Sequence, residues 1–412
     1  MKVLISAYSV RPNFGSEGGV GWNVIRELSK SHEVTVITRV RNQEEILGES
    51  EEWIGRVLWE FVDPPSWLTF WKRGGRGLQL FYLIWQGTMW RRARRLLKET
   101  EFDVTHHLTF GKYWIPSPLA LMNLPFVFGP VGGGDSTPVG LRSQYGFKGR
   151  LSERVRDGIR NSLRYLPFVK SFYRQAGYTL AATDQTEKSL AELGVERMHV
   201  QLQSGLGPED FEELDGIGKK VKKASGGPIE LVTACRLIHW KAVNLAIEAV
   251  AVLKERGVMA RLSVLQDGPE RKGLESLAVE RGVDDRVVFT GRLPKLSDVY
   301  EKVASADALI HPALHEAFGQ SVLESLALGT PVICLDWGGP GVIVNDESGI
   351  RVTPSSFENT VVGFADSIER LSENEVFSAE SCRARAAEFT WESVAAAINE
   401  AFRKAVSEGS SS

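Results

Sequence analysis

Residues 311–339 read HPALHEAFGQSVLESLALGTPVICLDWGG, and the order of apolar and turn residues in this stretch decides the fold. The run DALIHPAL predicts a strand, GQSVLESLALG predicts a helix ended by Gly329, and TPVICLDW predicts a second strand. Two strands joined by a helical crossover run parallel in one sheet. The stretch therefore indicates an α/β unit in which a turn containing Glu316 joins the first strand to the helix.

Strand-like apolar runs alternate with helical stretches along the whole chain. They are KVLISAYSV, EVTVITR, RVLWEFV, DVTHHLTF, PFVFGPV and YTLAAT, then IELVTACRL, ARLSVLQDG, RVVFTGRL, DALIHPAL and TPVICLDW. This alternation predicts two doubly wound, Rossmann-like parallel-sheet domains. The polar, glycine-rich DGIGKKVKKASGGP is typical of a linker. We expect domains at residues 1–214 and 229–390, a linker at 215–228, and a final helix at about 391–408 that packs back on the first domain.

Composition limits the class of protein and of partner. A net charge of −3 and a pI near 6.2 provide no positive field for nucleic acid, so no nucleic-acid partner is expected. The three cysteines lack zinc-like spacing and are typical of buried thiols in a reducing cytoplasm. An apolar run of about 18 residues and a secretory leader pattern are both absent, so we expect a cytoplasmic chain that does not span a membrane.

The turn at Glu316 has the features of an anion site. Ligands bind at the carboxyl ends of strands in open α/β sheets, and the first free N–H groups of a helix, here near Gly319, Gln320 and Ser321, attract phosphate. Glu324 lies on the order of 7 Å further along the helix. The two carboxylates can therefore bracket a diphosphate and accept hydrogen bonds from sugar hydroxyls. The alternative is that both are solvated charges near a helix end.

Basic residues occur at the matching position after a neighbouring strand. In TACRLIHWKAVNL, Arg236 closes a strand and Lys241 opens the next helix, so both can reach the same crevice. A guanidinium binds phosphate oxygens in a fork, and an ammonium neutralises them as a point charge. Alone the two are ordinary surface cations, but together with the glutamate turn they predict a diphosphate site. In TGRLP, Arg292 and Leu293 end another strand and are expected beside the nucleotide base.

Several of these motifs together resemble a known family. RLIHWK, DGPER and HPALHEAFGQSVLESLALGTPVI, with the spacing among them, are similar to the retaining GT-B glycosyltransferases of family four and their Glu-x7-Glu signature. FGSEGGVGWNVIREL resembles that family's glycine loop, and DVTHHLTF with PFVFGPVGGGD resembles a subset of it. The resemblance implies two domains that face a central cleft. It also implies a UDP-, GDP- or ADP-linked sugar as the donor, a sugar or lipid-linked acceptor, and no cofactor.

The resemblance also implies roles for individual residues. Arg236 and Lys241 would hold the diphosphate, and Glu324 the ribose. Glu316 would hold the donor sugar together with the backbone of Phe318 and Gly319. The other candidates are Gly18, Gly19, Arg292, Leu293, Gln320 and Ser321 on the donor side, and His106, Gly132, Gly133 and Asp135 on the acceptor side.

Two histidines, His106 and His107, are predicted to end a strand in DVTHHLTF. Strand alternation sends the two side chains to opposite faces, so only one is expected to be functional. The resemblance implies a histidine that contacts a donor-sugar hydroxyl, and we favour His107 as a catalytic residue with His106 left open. The alternative is a structural histidine. His311 and His315 belong to a strand and a turn, and they are not read as a metal site.

The sequence contains no Asp-x-Asp motif, so no metal ion is expected on the diphosphate. Arg236, Lys241 and a helix N-terminus would then neutralise the leaving group, and the resemblance implies retention of anomeric configuration. We expect a hexosyltransferase of cell-surface polysaccharide or glycolipid assembly. The alternatives are a sugar-nucleotide epimerase, a two-lobed binding protein and a pseudo-glycosyltransferase that joins cyclitols.

The chain departs from the family pattern at a few positions near the expected donor site. Cys235 and Ala242 stand where the family often has glycine, and Gln266 replaces a glycine ahead of DGP. Ala317 lies in the usual Glu-Gly-Phe-Gly turn, and Asp135 replaces a glutamate. These changes are expected to narrow the donor pocket, and they leave the donor sugar open.

Residues 53–114 carry seven of the eleven tryptophans, and residues 70–98 carry eight Lys or Arg and no acidic residue. Such a segment can lie on an anionic membrane, so peripheral contact at residues 67–98, on the inner face of the membrane, is one expectation. The alternative is an amphipathic helix that packs Leu80, Leu83, Ile84 and Trp90 on the sheet.

Overall fold

The computed structural model describes residues 1–12, 17–72, 77–163, 166, 169, 171–173, 176–203, 205–221, 226–372 and 377–409. The chain divides into two compact units. The first contains Met1–Gly134, Ile159–Gln203 and Trp391–Ser412, and the second contains Asp135–Gly158 and Ser204–Thr390.

The first unit is built on a parallel sheet of seven strands in the order β3-β2-β1-β4-β5-β6-β7. Neighbouring strands pair in parallel throughout, as expected where crossovers join them. The strands are β1 Lys2–Ala7, β2 Glu33–Thr38, β3 Leu58–Phe61, β4 Val104–Thr109, β5 Phe126–Val131, β6 Tyr178–Ala181 and β7 Met198–Val200.

Helices cover this first sheet. The longest of them buries residues at helical spacing, with Tyr82, Trp85 and Met89 fully enclosed. The α-helices are α1 Glu17–Ser29, α2 Gln43–Leu47, α3 Ser66–Thr69, α4 Leu78–Glu99, α5 Phe147–Leu163, whose first residues belong to the second unit, α6 Asp184–Ala191, and the final helix of the chain, Trp391–Gly409. Short 3-10 helices lie at Val40–Asn42, Glu52–Arg56 and Pro118–Leu121.

The second unit contains a parallel sheet of six strands in the order β10-β9-β8-β11-β12-β13. These strands are β8 Ile229–Ala234, β9 Ala260–Leu265, β10 Val287–Gly291, β11 Ala308–His311, β12 Val332–Leu335 and β13 Gly349–Val352. Its helices are α7 Pro208–Lys220, α8 Val243–Glu255, α9 Arg271–Glu280, α10 Leu296–Ser305, α11 Gln320–Ala327, α12 Gly338–Ile343, α13 Phe357–Ser372 and α14 Ala379–Ala387, so the final helix is α15. Further 3-10 helices lie at Val139–Gln144 and His239–Lys241.

The eleven apolar runs of the sequence all form strands, which confirms two parallel-sheet, Rossmann-like domains. Two strands, β7 and β13, have no counterpart among those runs. Both are short, and neither has the continuous apolar character of a central parallel strand. They extend one edge of each sheet without changing its topology.

The unit boundaries differ from the expected domain limits in three places. Residues 205–214, expected in the first domain, group with the second unit. Helix α7 continues to Lys220, so residues 215–220 are helical, whereas 222–225 of the expected linker lie outside the described residues. Two contacts hold the helix in its unit. Asp215 forms an ion pair with Arg383 at 2.8 Å, and Gly218 packs so closely that a Cβ there would come within 2.0 Å of a backbone oxygen. Residues 135–158 also group with the second unit.

The final helix α15 groups with the first unit. Its Phe402 ring is fully buried and packs against His106 with the ring centroids 5.3 Å apart. On the same helix, Asn399 lies 2.7 Å from Nε2 of His32. The last helix of the chain therefore completes the core of the first unit.

We predict that Phe402→Ala lowers the free energy of unfolding by about 3 to 5 kcal/mol, because the variant loses a fully buried ring and leaves a cavity. Urea unfolding followed by circular dichroism measures the change. Arg403→Ala is the control, since the Arg403 side chain is 67% exposed. Equal stabilities of the two variants would contradict the packing of α15 on this core.

Candidate functional site

The main cluster of sequence-predicted site residues lies at the carboxyl ends of β8 and β11, which are paired neighbours in the second sheet. Lys241 follows β8 and Glu316 follows β11. The Lys241 Nζ donates a hydrogen bond to Oε2 of Glu316. Both side chains are largely buried, with 16% and 14% of their surface exposed. The two residues that the sequence assigns to one crevice therefore form an ion pair within the second unit.

The backbone around Glu316 has a conformation that depends on glycine. Gly319 adopts φ +63° and begins helix α11, and its N–H donates to Oε1 of Glu316 at 3.3 Å, as does that of Phe318. The N–H of Gly339 donates to the Glu316 carbonyl at 2.7 Å. A Cβ on Gly338, which has φ +63°, would come within 2.5 Å of that carbonyl. Glycine at these positions is what allows the turn to close around Glu316.

Electrostatics fix the charges of this pair. Burial raises the pKa of the Glu316 carboxyl, but the Lys241 ammonium and the nearby His311 outweigh it and hold the pKa well below its usual range. Burial lowers the pKa of Lys241, and Glu316 more than offsets that effect. His311, whose Nε2 is 3.7 Å from Oε2 of Glu316, has a pKa lowered by burial. At neutral pH the site thus contains a carboxylate, an ammonium and a neutral imidazole.

Two exposed arginines follow the ends of β8 and β10, the strands on either side of β9. Arg236 comes directly after the carboxyl end of β8, and Arg292 directly after Gly291, the last residue of β10. Neither side chain makes a hydrogen bond or ion pair with another described residue. Leu293 beside Arg292 is half-buried. Both guanidiniums are therefore open to an anionic ligand from solution.

Glu324 lies in helix α11 and contacts groups other than the Lys241 and Glu316 pair. Burial raises the pKa of Glu324 to about 7, although hydrogen bonds with Gln320 and Tyr300 act to lower it. Ser321, one residue after Gln320, has its Oγ 3.5 Å from Nδ1 of His311. The structure thus places Glu316 and Glu324 in different environments, one ionised beside a cation and one close to neutral.

His106 and His107 require a correction. They lie inside β4, whose last residue is Thr109, and both rings are fully buried. Nε2 of His106 is 2.6 Å from the Gly129 carbonyl, while His107 lies 2.9 Å from the Tyr82 hydroxyl and 3.0 Å from that of Ser117. Burial lowers the pKa of His106 to about 4 and that of His107 to about 3. The expected placement at an open strand end is therefore wrong, because tertiary packing encloses both rings.

The glycines expected near a ligand lie in the first unit. Gly18 and Gly19 are buried in the first turn of α1. Gly132 follows β5 and bridges to Lys112, and Gly133 adopts φ +97° against the Trp114 ring. These positions border the carboxyl edge of the first sheet, where open α/β sheets bind ligands.

One carboxylate at that edge was not singled out from the sequence. Glu17 begins α1, and its Oε1 accepts a hydrogen bond from the N–H of Phe110, which adopts φ +62° just after β4. Burial raises the pKa of Glu17 to about 7. A strained aromatic residue beside a nearly neutral carboxyl is typical of a functional site. The sequence feature that could have identified Glu17 is its place beside the glycines of the SEGG motif.

A buried polar network in the second unit was also missed. Nε2 of His315 lies 2.8 Å from Thr137 Oγ1, 3.1 Å from Glu153 Oε2 and 3.0 Å from an Arg156 nitrogen. The carbonyl of Asp135, the acceptor-side candidate, is 3.1 Å from Nδ1 of His315. Segments so far apart in sequence leave no spacing signal. The network fixes the residue directly before Glu316.

Two residues that stand where the resembled family often has glycine also adopt a glycine-like backbone conformation. Ala242 adopts φ +49° and Gln266 φ +84°, in the left-handed region that favours glycine. Ala242 directly follows Lys241, and Gln266 directly follows β9, the strand next to β8. The positive φ angles explain why glycine is expected at these two positions. In this chain a residue with a Cβ adopts the strained backbone conformation at both.

The described residues contain no group of three His, Cys, Asp or Glu side chains suited to hold a metal ion. Cys235, Cys334 and Cys382 are buried thiols that form no disulfide with one another.

Comparisons with known proteins match most of the second unit to a described family. Residues 218–389 match the family described as Glycosyl transferases group 1. The chain is 34% identical over 189 residues to a 2-deoxystreptamine glucosyltransferase of Streptomyces kanamyceticus, a match that covers 44% of this chain and 47% of the relative. The chain thus spans about half the length of the curated relatives it matches.

Solved structures resemble the chain over nearly its full length. The apo lipopolysaccharide outer core galactosyltransferase WaaB has a TM-score of 0.65 and 16% identity, with 97% of this chain and 99% of that one covered. HepE of Anabaena, solved with UDP, has a TM-score of 0.58 and 18% identity, with 97% and 98% covered. The expected GT-B fold is confirmed, and the match to Glycosyl transferases group 1 lies within its second unit.

We predict that Glu324→Gln weakens the dependence of stability on pH. The folded-state pKa of about 7 lies above the ordinary 4.5, so the folded protein keeps a proton that the unfolded chain loses. The contribution of Glu324 to the free energy of unfolding is fully present below the ordinary pKa. It decreases by about 3 kcal/mol as the pH rises from the ordinary pKa to the folded-state pKa. Urea unfolding across that pH range measures the loss. An unchanged pH profile in Glu324→Gln, matching that of the exposed control Glu301→Gln, would contradict the prediction.

Proposed function

We propose that the protein is a retaining glycosyltransferase. It moves a hexosyl unit from a nucleotide sugar to a hydroxyl acceptor in the assembly of a cell-surface polysaccharide or glycolipid. The observation that carries the proposal is the buried Lys241 and Glu316 pair beside the open Arg236, at the carboxyl edge of a domain that matches glycosyltransferases. WaaB acts on lipopolysaccharide and HepE binds UDP, which supports the same chemistry for this chain.

Donor binding uses the charges of the second unit. The diphosphate binds Arg236 through the guanidinium fork and Lys241 through its ammonium. Glu316 stays ionised and accepts hydrogen bonds from hydroxyls of the donor sugar. Glu324 binds the ribose, and with a pKa of about 7 it can donate or accept a hydrogen bond there.

The chemical step breaks the bond between the anomeric carbon and the diphosphate oxygen, which takes the electron pair. Arg236 and Lys241 stabilise the negative charge that develops on this leaving group, with no metal ion required. The acceptor oxygen attacks the oxocarbenium-like carbon from the face that the phosphate leaves, and its proton passes to a phosphate oxygen. Configuration is therefore retained without a carboxylate nucleophile.

The acceptor is lipid-linked, and the first unit contacts an anionic membrane peripherally. Trp67 on α3 and Phe70 directly after it are 71% and 80% exposed, and Leu80 and Leu83 at the start of α4 are 53% and 51% exposed. The packing face expected for this helix is therefore wrong at Leu80 and Leu83. Residues 73–76 lie outside the described residues. Toward its other end α4 exposes Arg91, Arg94, Arg95 and Lys98.

Apolar side chains at α3 and at the start of α4, with cations toward the other end of α4, suit the interface of an anionic bilayer, where rings enter between headgroups that attract the cations. Within the described residues, no helix has the length and hydropathy needed to cross a bilayer.

We predict that UDP, GDP or ADP raises the melting temperature, because a ligand at a hundred times its Kd stabilises by about 2.7 kcal/mol. With the corresponding nucleotide sugar, Arg236→Ala and Lys241→Ala each lower kcat/KM by about two to three orders of magnitude. Steady-state kinetics measure the change. Arg236→Ala is the cleaner test, because removal of Lys241 also leaves a buried carboxylate unpaired.

The control for these variants is Lys272→Ala, which removes an exposed cation elsewhere in the second unit. Near-normal turnover of both Arg236→Ala and Lys241→Ala would exclude the proposed mechanism. Conversion of the nucleotide sugar to an epimer without any acceptor would replace the proposal with an epimerase.

We predict that the protein floats with vesicles of phosphatidylcholine and phosphatidylglycerol but not with phosphatidylcholine alone. The double variant Trp67→Ala/Phe70→Ala loses binding because it removes the rings that enter the interface. Leu296→Ala, which truncates a 62% exposed side chain in the second unit, is the matched control. Failure of the wild type to float with anionic vesicles would end the membrane proposal.

A further inference from the structure

We infer that Gln266 determines which nucleobase the donor carries. The inference rests on the proposed function and adds a specificity-determining residue to it. Gln266 directly follows β9, on the carboxyl edge of the sheet that holds Lys241 and Glu316. The sequence had placed Gln266 near the donor pocket, in the position of a family glycine, without assigning it a contact with the ligand.

The backbone of Gln266 is held in a conformation that glycine would adopt without strain. Its φ is +84°, and its N–H donates to the Gly291 carbonyl at 3.0 Å, which bridges the ends of β9 and β10. Glutamine is disfavoured in this region because its Cβ crowds the backbone. Strain of this kind persists where the surroundings enforce it, and it clusters at ligand sites.

The side chain has the chemistry of a base reader. The Gln266 amide is half-buried and makes no hydrogen bond with another described residue. A carboxamide offers a hydrogen-bond donor and an acceptor side by side, as do the edges of nucleobases. Phosphate oxygens only accept hydrogen bonds, and the cations Arg236 and Lys241 can donate to them. The amide therefore matches the base better than the diphosphate.

Position along the sheet edge supports the same assignment. From β11 to β10 the strand ends carry Glu316, Arg236, Gln266 and Arg292 in order. Adjacent strands are about 4.8 Å apart, so Gln266 lies about 10 Å along the edge from β11. A donor whose sugar is held at Glu316 and whose diphosphate is held at Arg236 extends its nucleoside toward β9 and β10. Gln266 then lies between the diphosphate and the expected base site at Arg292.

Calorimetric titration of UDP, GDP, ADP and pyrophosphate tests the inference. The wild type is expected to prefer one nucleotide, and Gln266→Gly to bind that nucleotide roughly tenfold more weakly, the loss of about one good hydrogen bond. Affinities for the other nucleotides and for pyrophosphate, which has no base, stay the same. Gln266→Asn, which keeps the amide and tolerates positive φ, is expected to retain part of the preference.

Controls separate base reading from a change in the turn. Gln266→Gly is expected to melt at a higher temperature, which excludes unfolding as the cause of weaker binding. Asn123→Gly removes another non-glycine residue at positive φ, with φ +54° in the first unit, and is expected to change no affinity.

Each other outcome is decisive. Equal weakening of all three nucleotides, a loss of pyrophosphate affinity, or a wild type without nucleotide preference would overturn the role of Gln266. A wild type that binds no nucleotide would instead refute the proposed function, and this inference with it.

Discussion

The ion pair between Lys241 and Glu316 is the constraint on which the rest of the second unit's site depends. Each charge is largely removed from water, so each needs the other, and loss of one partner would leave an uncompensated buried charge. The pair can form only if the turns after β8 and β11 approach closely, and this requires the glycines that pack on the Glu316 backbone. The chemistry of the site therefore depends on backbone positions as well as on its charged side chains.

Strand order explains why the site lies at this place. In the second sheet the connections run outward from β8 to one side and from β11 to the other, so the turns after these two strands diverge and leave a crevice. The first sheet has the same reversal between β1 and β4, and there Glu17 accepts the N–H of Phe110. Each unit thus places a carboxylate at its own topological switch point.

The sequence predicted the parts that depend on local pattern. Continuous apolar runs identify central parallel strands, and the motifs after them identify Arg236, Lys241, Glu316 and their strand ends. Short edge strands such as β7 lack that pattern. The end of helix α7, residues 215–220, carries glycines and lysines, so it was taken for part of a linker. His106 and His107 were misplaced because burial is set by tertiary partners such as Phe402, which local pattern does not contain. The network around His315 joins segments too far apart to be seen in any window.

The three glutamates of the two switch points show how environment divides one residue type into different roles. Glu316 has an ammonium in contact, so it is a fixed anion that can only accept hydrogen bonds. Burial without so close a cation raises the pKa of Glu17 and Glu324 to about 7. Near neutral pH these two can therefore donate or accept a hydrogen bond, which suits hydroxyl ligands that do both. The pKa of Glu316 is lowered, whereas those of Glu17 and Glu324 are raised. These opposite shifts indicate that the fold uses one carboxyl as a permanent negative charge and the other two to bind hydroxyl groups.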